Sequence, residues 1–416
     1  MNSYDVIVVG GGPAGLLAAG RAAERGARVL LLEKMRHTGR KLLITGKGRC
    51  NITNDAPVAE FITFIHPNGR FLKQAFSRFF SREILELLQR YGVGATLERG
   101  GRYFTTTNKS MDVLQGLLRW VGERNVEIRC GMPVEALLVK NQSVCGVKAG
   151  GKVLTAPRVI LATGGKSYPA TGSTGDGYEL ARKAGHTVET VRPALVPLET
   201  EGEVAGRMQG LTLKNVRASV WINGKKAGEA FGEMLFTHFG LSGPIILTLS
   251  RMVVDALQRH DRVEISVDLK PALDEQKLDQ RLIRDLNEHG KKQVGNLFRY
   301  WLPASMVPVS LDLLKLDPGK PCHQVSSQER KEIRNLLKDL RFRVTGHRPF
   351  KEAIITAGGI PTHEISSKTM ASKLVHGLYF AGEIINLDAD TGGFNLQIAW
   401  STGWVAGDSC MLQGDH

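Results

Sequence analysis

Near the start of the chain, Gly10-Gly11-Gly12-Pro13-Ala14-Gly15 carries glycine at the first, third and sixth positions. That spacing serves a dinucleotide. The first glycine permits a tight turn, the second lets the backbone approach a pyrophosphate, and the third lets a helix pack closely on the preceding strand. Free N–H groups at the helix start then face the phosphates. Glu33, eighteen residues past Gly15, is placed for ribose hydroxyls. A glycine pattern alone is weak, since structural turns share it. Here the apolar run before it, the Ala/Leu-rich segment after it and the acid at the end of the next apolar run agree.

A second group of chemistry-bearing residues follows. His37-Thr38-Gly39-Arg40-Lys41 and Thr45-Gly46-Lys47-Gly48-Arg49-Cys50-Asn51-Ile52-Thr53-Asn54 form a glycine- and cation-rich loop. It suits a backbone wrapped around an anionic cofactor, with Arg40, Lys41 and Arg49 available to its oxygens. A solvated basic loop is the competing reading. Ala162-Thr163-Gly164-Gly165 ends a buried apolar run, and Gly172-Ser173-Thr174-Gly175-Asp176-Gly177 comes soon after. Small residues at the carboxyl end of a parallel strand let a ligand lie close. The pattern returns near the other end of the sequence, where Leu378-Tyr379-Phe380 runs into Ala381-Gly382-Glu383, and Thr391-Gly392-Gly393-Phe394-Asn395-Leu396 opens an amphipathic helix to about Gly407.

The elements that must hold these residues are legible as periods. Residues 4–9 and 28–32 read as strands flanking a helix to Arg25, which is a βαβ unit. Residues 68–91 and 110–124 have helical periodicity, and Phe71, Phe76, Phe79 and Phe80 are expected in a core rather than as base-stacking platforms. Runs at 126–130, 134–139, 144–148 and 152–155 predict a small antiparallel layer, and 158–162 a buried strand. Residues 195–250 are β-rich with Asn-Gly turns, whereas 272–340 carry Leu at helical spacing. The expected class is therefore α/β, a Rossmann-like domain made of 1–190 plus 349–416. It is interrupted by a β-rich domain, 191–271 plus 341–348, and a helical lobe, 272–340.

Composition bounds the function. The 416 residues are 42% hydrophobic, with 55 Lys+Arg against 41 Asp+Glu, which excludes collagen-like and largely disordered chains. Five cysteines show no CxxC pair and no metal-ligand spacing, so reduced thiols in a reducing compartment are expected, and no metal. The opening Met-Asn-Ser-Tyr-Asp is unlike a signal or transit peptide, and no apolar stretch of about 18 residues exists to span a bilayer. Those features predict a cytoplasmic protein with no membrane partner. Net charge is +14, and residues 21–110 hold 17 Lys+Arg against 7 Asp+Glu, or +10 of that total. Such a field attracts polyanions.

These motifs together resemble the two-dinucleotide-binding-domain superfamily of FAD flavoproteins, and within it a narrower bacterial family of NAD(P)/FAD-dependent oxidoreductases. The narrower resemblance rests on Gly39-Arg40-Lys41 with Gly46 to Asn51, on Ala162 to Gly165 with Gly172 to Gly177, on Gly232-Glu233-Met234-Leu235-Phe236-Thr237-His238 with Gly240-Leu241-Ser242-Gly243-Pro244, and on Ala381-Gly382-Glu383 with Gly392 to Gln397. Asn386 stands where many members of the family resembled carry Asp. The resemblance implies FAD as the cofactor, a barrel-like insert, and NADPH or NADH as a transient reductant. It also implies that some members reduce uridine to dihydrouridine in large-subunit (23S) ribosomal RNA. The residues expected to line FAD are Gly10, Gly12, Pro13, Ala14, Gly15, Glu33, Lys34, Arg40, Lys41, Gly46, Arg49, Asn51, Val134, Ala162, Thr163, Gly164, Gly382, Glu383, Gly393, Asn395 and Leu396.

Only one GxGxxG occurs, so no second dinucleotide domain is visible for a nicotinamide, and alternating occupancy of the flavin face predicts ping-pong kinetics. Saturating uracil needs a hydride at C6 and a proton at C5. Cys50 is the first candidate donor, because Arg49 beside it should favour its thiolate, with an inert buried cysteine as the alternative. His238 is the second, with a structurally satisfied histidine as its alternative. Three functions stay open: a reductase of ribosomal RNA, favoured by the charge; a reductase or oxidase of a small organic acid, amine or sterol-like compound; and a non-catalytic flavin module that docks on RNA. No RRM or KH signature is present.

Overall fold

A computed structural model describes residues 4–411. The strand β1 (Val6–Val9) is a β-branched run with every residue buried, which only a central strand covered on both faces can accommodate. It sits in the middle of a five-stranded parallel sheet, ordered Leu378–Phe380, Arg158–Leu161, β1, β2 (Val29–Glu33) and an edge strand Glu127–Cys130. Val6 pairs with Val29 on one side and Arg158 on the other. Residues from both ends of the sequence therefore share one sheet.

Helix α1 (Pro13–Glu24) starts on Gly12 with proline in its first turn, where a missing N–H costs nothing. It lies against the helix Phe394–Ser409 unusually closely. A Cβ on Gly403 would strike the Ala14 carbonyl, and one on Gly407 the Ala18 carbonyl, so a glycine every fourth residue lets the two backbones touch.

Two expectations need correction. Residues 126–130 do not join the antiparallel layer. They form the parallel edge strand beside β2, reached through the crossover helix Ser110–Glu123. The three-stranded layer consists of Val134–Lys140, Ser143–Ala149 and Lys152–Thr155 alone. The helical period over 68–91 is real but interrupted. Lys73–Arg78 and Ser81–Arg90 are separate helices, broken where Phe79 and Phe80 turn extended and the Phe80 N–H donates to the Glu83 carboxylate at 2.8 Å. The phenylalanines pack inward: Phe61 meets Phe76, Phe80 and Phe394 edge-on at 4.6–5.2 Å between centroids.

The chain separates into two compact units, one ending at Pro193 and resuming at Phe350, the other Ala194–Pro349. The second unit is built on a closed six-stranded barrel: Leu198–Thr200, Gly240–Ser242, Lys225–Thr237, Thr212–Ile222, Val263–Asp268 and Leu340–His347. Its helices share one hydrophobic cluster with the barrel, Leu278, Leu282 and Leu286 packing in the same core as Ile265 and Phe342. The stretch Pro244–Gln258, inside and just beyond the segment expected to be β-rich, is a helix that proline opens. No helix among the described residues is long and apolar enough to cross a membrane.

Candidate active site

The carboxyl edge of the parallel sheet gathers Gly10 after β1, Lys34 after β2, Ala162 after Arg158–Leu161 and Ala381 after Leu378–Phe380. The three motif glycines serve three different ends. Gly10 has φ +107° and its missing Cβ would strike the Ala162 carbonyl; Gly15 lies against the Gly10 carbonyl; Gly12 has open space for 4 Å around its missing Cβ. Pro13 and Ala14 begin α1 beside that space. The Glu33 carboxylate is fixed by two backbone N–H groups at 2.8 Å, from Gly11 and Met35. Each oxygen keeps a lone pair for a hydroxyl. Thr163 Oγ1 is buried and has no partner among the described residues. It lies against Gly177, and Gly164 beside it has φ +75°. Val134, half-buried, opens its strand two residues after Met132, whose N–H donates to the Glu33 carbonyl.

Several cations expected on the cofactor are held by protein groups. Lys34 donates to Thr174 Oγ1 at 2.6 Å and the Asp176 carboxylate at 2.8 Å, tying the glycine-rich loop to the end of β2. Lys41 Nζ donates to Glu383 at 2.6 Å and to Ser167 Oγ at 2.6 Å. The other Glu383 oxygen accepts from Ser167 Oγ at 2.9 Å and the Thr356 N–H at 2.8 Å. Arg40 is exposed at the start of the short helix Arg40–Ile44, and Gly46 sits in a left-handed turn.

At the far end, the helix Phe394–Ser409 presents its N-terminus. The Gly393 N–H donates to the Asn51 amide oxygen at 2.9 Å, and the first intrahelical bond runs from the Gln397 N–H to the Gly393 carbonyl. The N–H groups of Asn395 and Leu396 precede that bond and point outward from the helix start. The Asn395 side chain clasps the turn before it, bonding the Ala389 N–H and the Ala389 and Asp390 carbonyls. Gly382, at φ +76°, donates its N–H to Thr402 Oγ1. Asn54, Thr53 and Gln397, from the motifs read in the sequence, complete this end together with three residues not foreseen from it, Ser167, Thr356 and His66, whose Nε2 is 3.8 Å from the Asp390 carboxylate. Single polar residues separated by hundreds of positions leave no local signal.

The two expected proton donors fare differently from their sequence arguments. Cys50 has no exposed surface, and burial pushes its thiol up to about 12. Arg49 does not reach it: the guanidinium pairs with Glu98, donates to Asn108 and stacks 4.1 Å from the Phe104 ring centroid. The tuned thiolate expected at Cys50 is thus replaced by a protonated, enclosed thiol. At pH 8 a thiol reagent should label the exposed Cys130 and Cys145 of the native protein and leave Cys50 unmodified, as peptide mapping would read. Labelling of Cys50 at a matching rate would contradict that enclosure. His238 is exposed in the second unit, between strands Lys225–Thr237 and Gly240–Ser242, its ring edge-on to Phe239. Among the described residues no cluster of His, Cys, Asp or Glu is arranged to hold a metal.

A parallel sheet with a glycine turn, a ribose-placed acid and a helix N-terminus at its carboxyl edge defines the class: a Rossmann-type, FAD-binding oxidoreductase fold. The chain belongs to the family described as HI0933-like protein Rossmann domain, which matches residues 4–409, and so to a family of FAD-dependent oxidoreductases. It is 30% identical over 402 residues to the 3-dehydro-bile acid delta(4,6)-reductase of Clostridium scindens, covering 96% of this chain and 97% of that one. It is equally 30% identical over 410 residues to the ribosomal RNA dihydrouridine synthase of Escherichia coli, covering 97% of each. Among solved structures, the 3-ketosteroid delta1-dehydrogenase of Sterolibacterium denitrificans superposes with a TM-score of 0.51 at 16% identity, over 99% of this chain and 100% of that one. That likeness is one of fold.

Proposed function

We propose that the protein is an NAD(P)H-driven, FAD-dependent reductase of carbon–carbon double bonds conjugated to a carbonyl, and that its substrate is uridine in large-subunit ribosomal RNA. The observation that carries the substrate is the placement of charge. Arg36, Arg40, Lys47, Arg70, Lys73, Arg90, Arg99, Arg102 and Lys109 are exposed, and none pairs with a carboxylate among the described residues. A polyanion gains phosphate contacts from such a set of unpaired cations.

FAD fits the residues present. Open space at Gly12 admits a pyrophosphate, Glu33 is held ready for ribose hydroxyls, and the buried Thr163 hydroxyl lacks a partner that a ligand would supply. In this reading the open face at Gly12, with Pro13 and Ala14 beginning α1 beside it, takes the pyrophosphate, Gly10 and Gly15 let the turn and helix close up behind it, Ala162 and Gly164 line the same edge with Val134 nearby, and Asn51 and Gly382 shape the far end. Bound there, FAD supplies hydride transfer from a nicotinamide to the substrate double bond. The Asn395 and Leu396 N–H groups offer the positive end of a helix dipole to negative charge beside the helix start. In uridine the hydride goes to C6 and a proton to C5, so NAD(P)H and one proton are consumed per dihydrouridine.

A second reading has its own support. The bile acid reductase is as similar as the ribosomal RNA enzyme, and a 3-oxo steroid with adjacent unsaturation presents the same conjugated double bond. Nucleoside mass spectrometry of ribosomal RNA from cells lacking the gene separates them. The expected result is loss of one dihydrouridine, two hydrogens heavier than uridine, restored by the intact gene. An unchanged profile removes the RNA reading and leaves the unsaturated ketone, to be assayed with purified protein.

A further inference from the structure

The strands Ala95–Glu98 and Arg102–Thr105 form a hairpin whose tip is Arg99-Gly100-Gly101-Arg102. Both glycines have positive φ, +81° and +71°, and a Cβ on Gly101 would come within 2.8 Å of Asn54 Oδ1. The tip is anchored to the start of the helix Phe394–Ser409. Asn54 Nδ2 donates to the Gly100 carbonyl at 3.1 Å and to the Gly392 carbonyl at 2.9 Å, so a single amide nitrogen spans the two. The Asp55 N–H also donates to the Gly101 carbonyl at 2.7 Å.

The tip carries charge that nothing nearby neutralises. Arg99 and Arg102 are exposed, and Arg102 Nε donates to the Arg99 carbonyl at 3.0 Å. Among the described residues neither pairs with a carboxylate. Glu98, directly across the hairpin from Arg102, pairs with Arg49, and Asp55 accepts from the Tyr103 hydroxyl at 2.9 Å. Two other exposed arginines of this unit are neutralised, Arg82 by Glu86 and Arg182 by Glu179. Two free guanidinium groups, flanking a rigid turn that is tied to the proposed flavin end, match consecutive phosphates rather than a protein carboxylate.

We propose that this tip grips the phosphodiester backbone of the substrate RNA beside the base being reduced. The inference rests on the RNA reading above. Phosphate contacts position the strand, and the unstacked base then enters at the helix start. A turn fixed to that helix sets the distance between grip and site.

The test uses FAD-loaded, full-length protein and large-subunit ribosomal RNA purified from cells lacking it, with binding read by filter retention over a salt series. Arg99→Ala/Arg102→Ala, with FAD content equal to wild type, should bind about tenfold more weakly near 0.1 M salt and lower the log–log salt slope by about 2. Arg99→Lys/Arg102→Lys should restore the slope, and Arg82→Ala/Arg182→Ala, which removes the same number of positive charges at two arginines paired with Glu86 and Glu179, should alter binding by less than about twofold. Wild-type-like binding by the alanine tip variant, or an equal loss in the Arg82/Arg182 variant, overturns the grip while the RNA reading stands. Absence of salt-dependent binding by wild type overturns both.

Discussion

Gly12→Asp should yield a folded protein without FAD, whereas Gly15→Ala should fail to accumulate as folded protein at all. The two glycines lie in one motif, yet their surroundings are opposite. Gly12 has φ −82° and ψ −173°, an extended conformation open to any residue, and nothing lies within 4 Å of its missing Cβ. It is also the N-cap of α1, where Asp accepts from the first-turn N–H groups and is favoured over glycine by roughly a few tenths of a kcal/mol, so the fold tolerates it. The new carboxylate would therefore occupy the anion site itself and repel a pyrophosphate, weakening FAD at least about a hundredfold, or ~2.7 kcal/mol. At Gly15 the added methyl meets the Gly10 carbonyl, and Gly10 is in turn pressed on Ala162, so neither can move aside. Overpacking of that kind costs about 3 kcal/mol or more. Flavin absorbance and melting temperature of purified Gly12→Asp, and the soluble yield of Gly15→Ala beside wild type, check this. A yellow Gly12→Asp protein, or a normally loaded Gly15→Ala one, would sink the assignment of roles.

The contrast also marks what the sequence could reveal. A motif spacing says that three glycines are needed; only three-dimensional neighbours say which one faces ligand. The βαβ unit was readable because strand, turn and helix are consecutive and each has its own period. Residues 126–130 were not, since a five-residue run that alternates apolar and charged side chains has no direction until its partner is known, and β2 is that partner. At Cys50 the structure takes the enclosed alternative over the Arg49-tuned thiolate, because neighbours in sequence need not be neighbours in space. The chain turns there at φ +56°, sending the thiol inward while Arg49 goes to Phe104 and Glu98. The link between the hairpin tip and Gly392 leaves no local signal, because it depends on one asparagine 338 residues away.

Lys41 and Glu383 were each legible as site residues and illegible as a pair, being 342 residues apart. Their pairing predicts a specific pattern of thermal stability. Both side chains are about one-fifth exposed, 20% and 21%, so the ion pair sits between a surface pair and a buried one. Breaking it should cost about 2 kcal/mol, below the range for full burial. Glu383→Gln should be the more harmful single change. Its amide oxygen can still accept from Ser167 and the Thr356 N–H, but its NH2 then faces the Lys41 ammonium, donor against donor. Lys41→Met removes the cation and leaves a carboxylate with two donors. In the double variant Lys41→Met/Glu383→Gln the opposing donors are gone, and the methionine stem fills the lysine's apolar path. The double variant should therefore be more stable than Glu383→Gln alone, with a coupling of about 1–2 kcal/mol read from melting of the FAD-loaded proteins. Strictly additive losses would mean that the pair contributes nothing. In that case Lys41 is free to turn toward the cofactor phosphates, and FAD affinity rather than stability should fall in Lys41→Met.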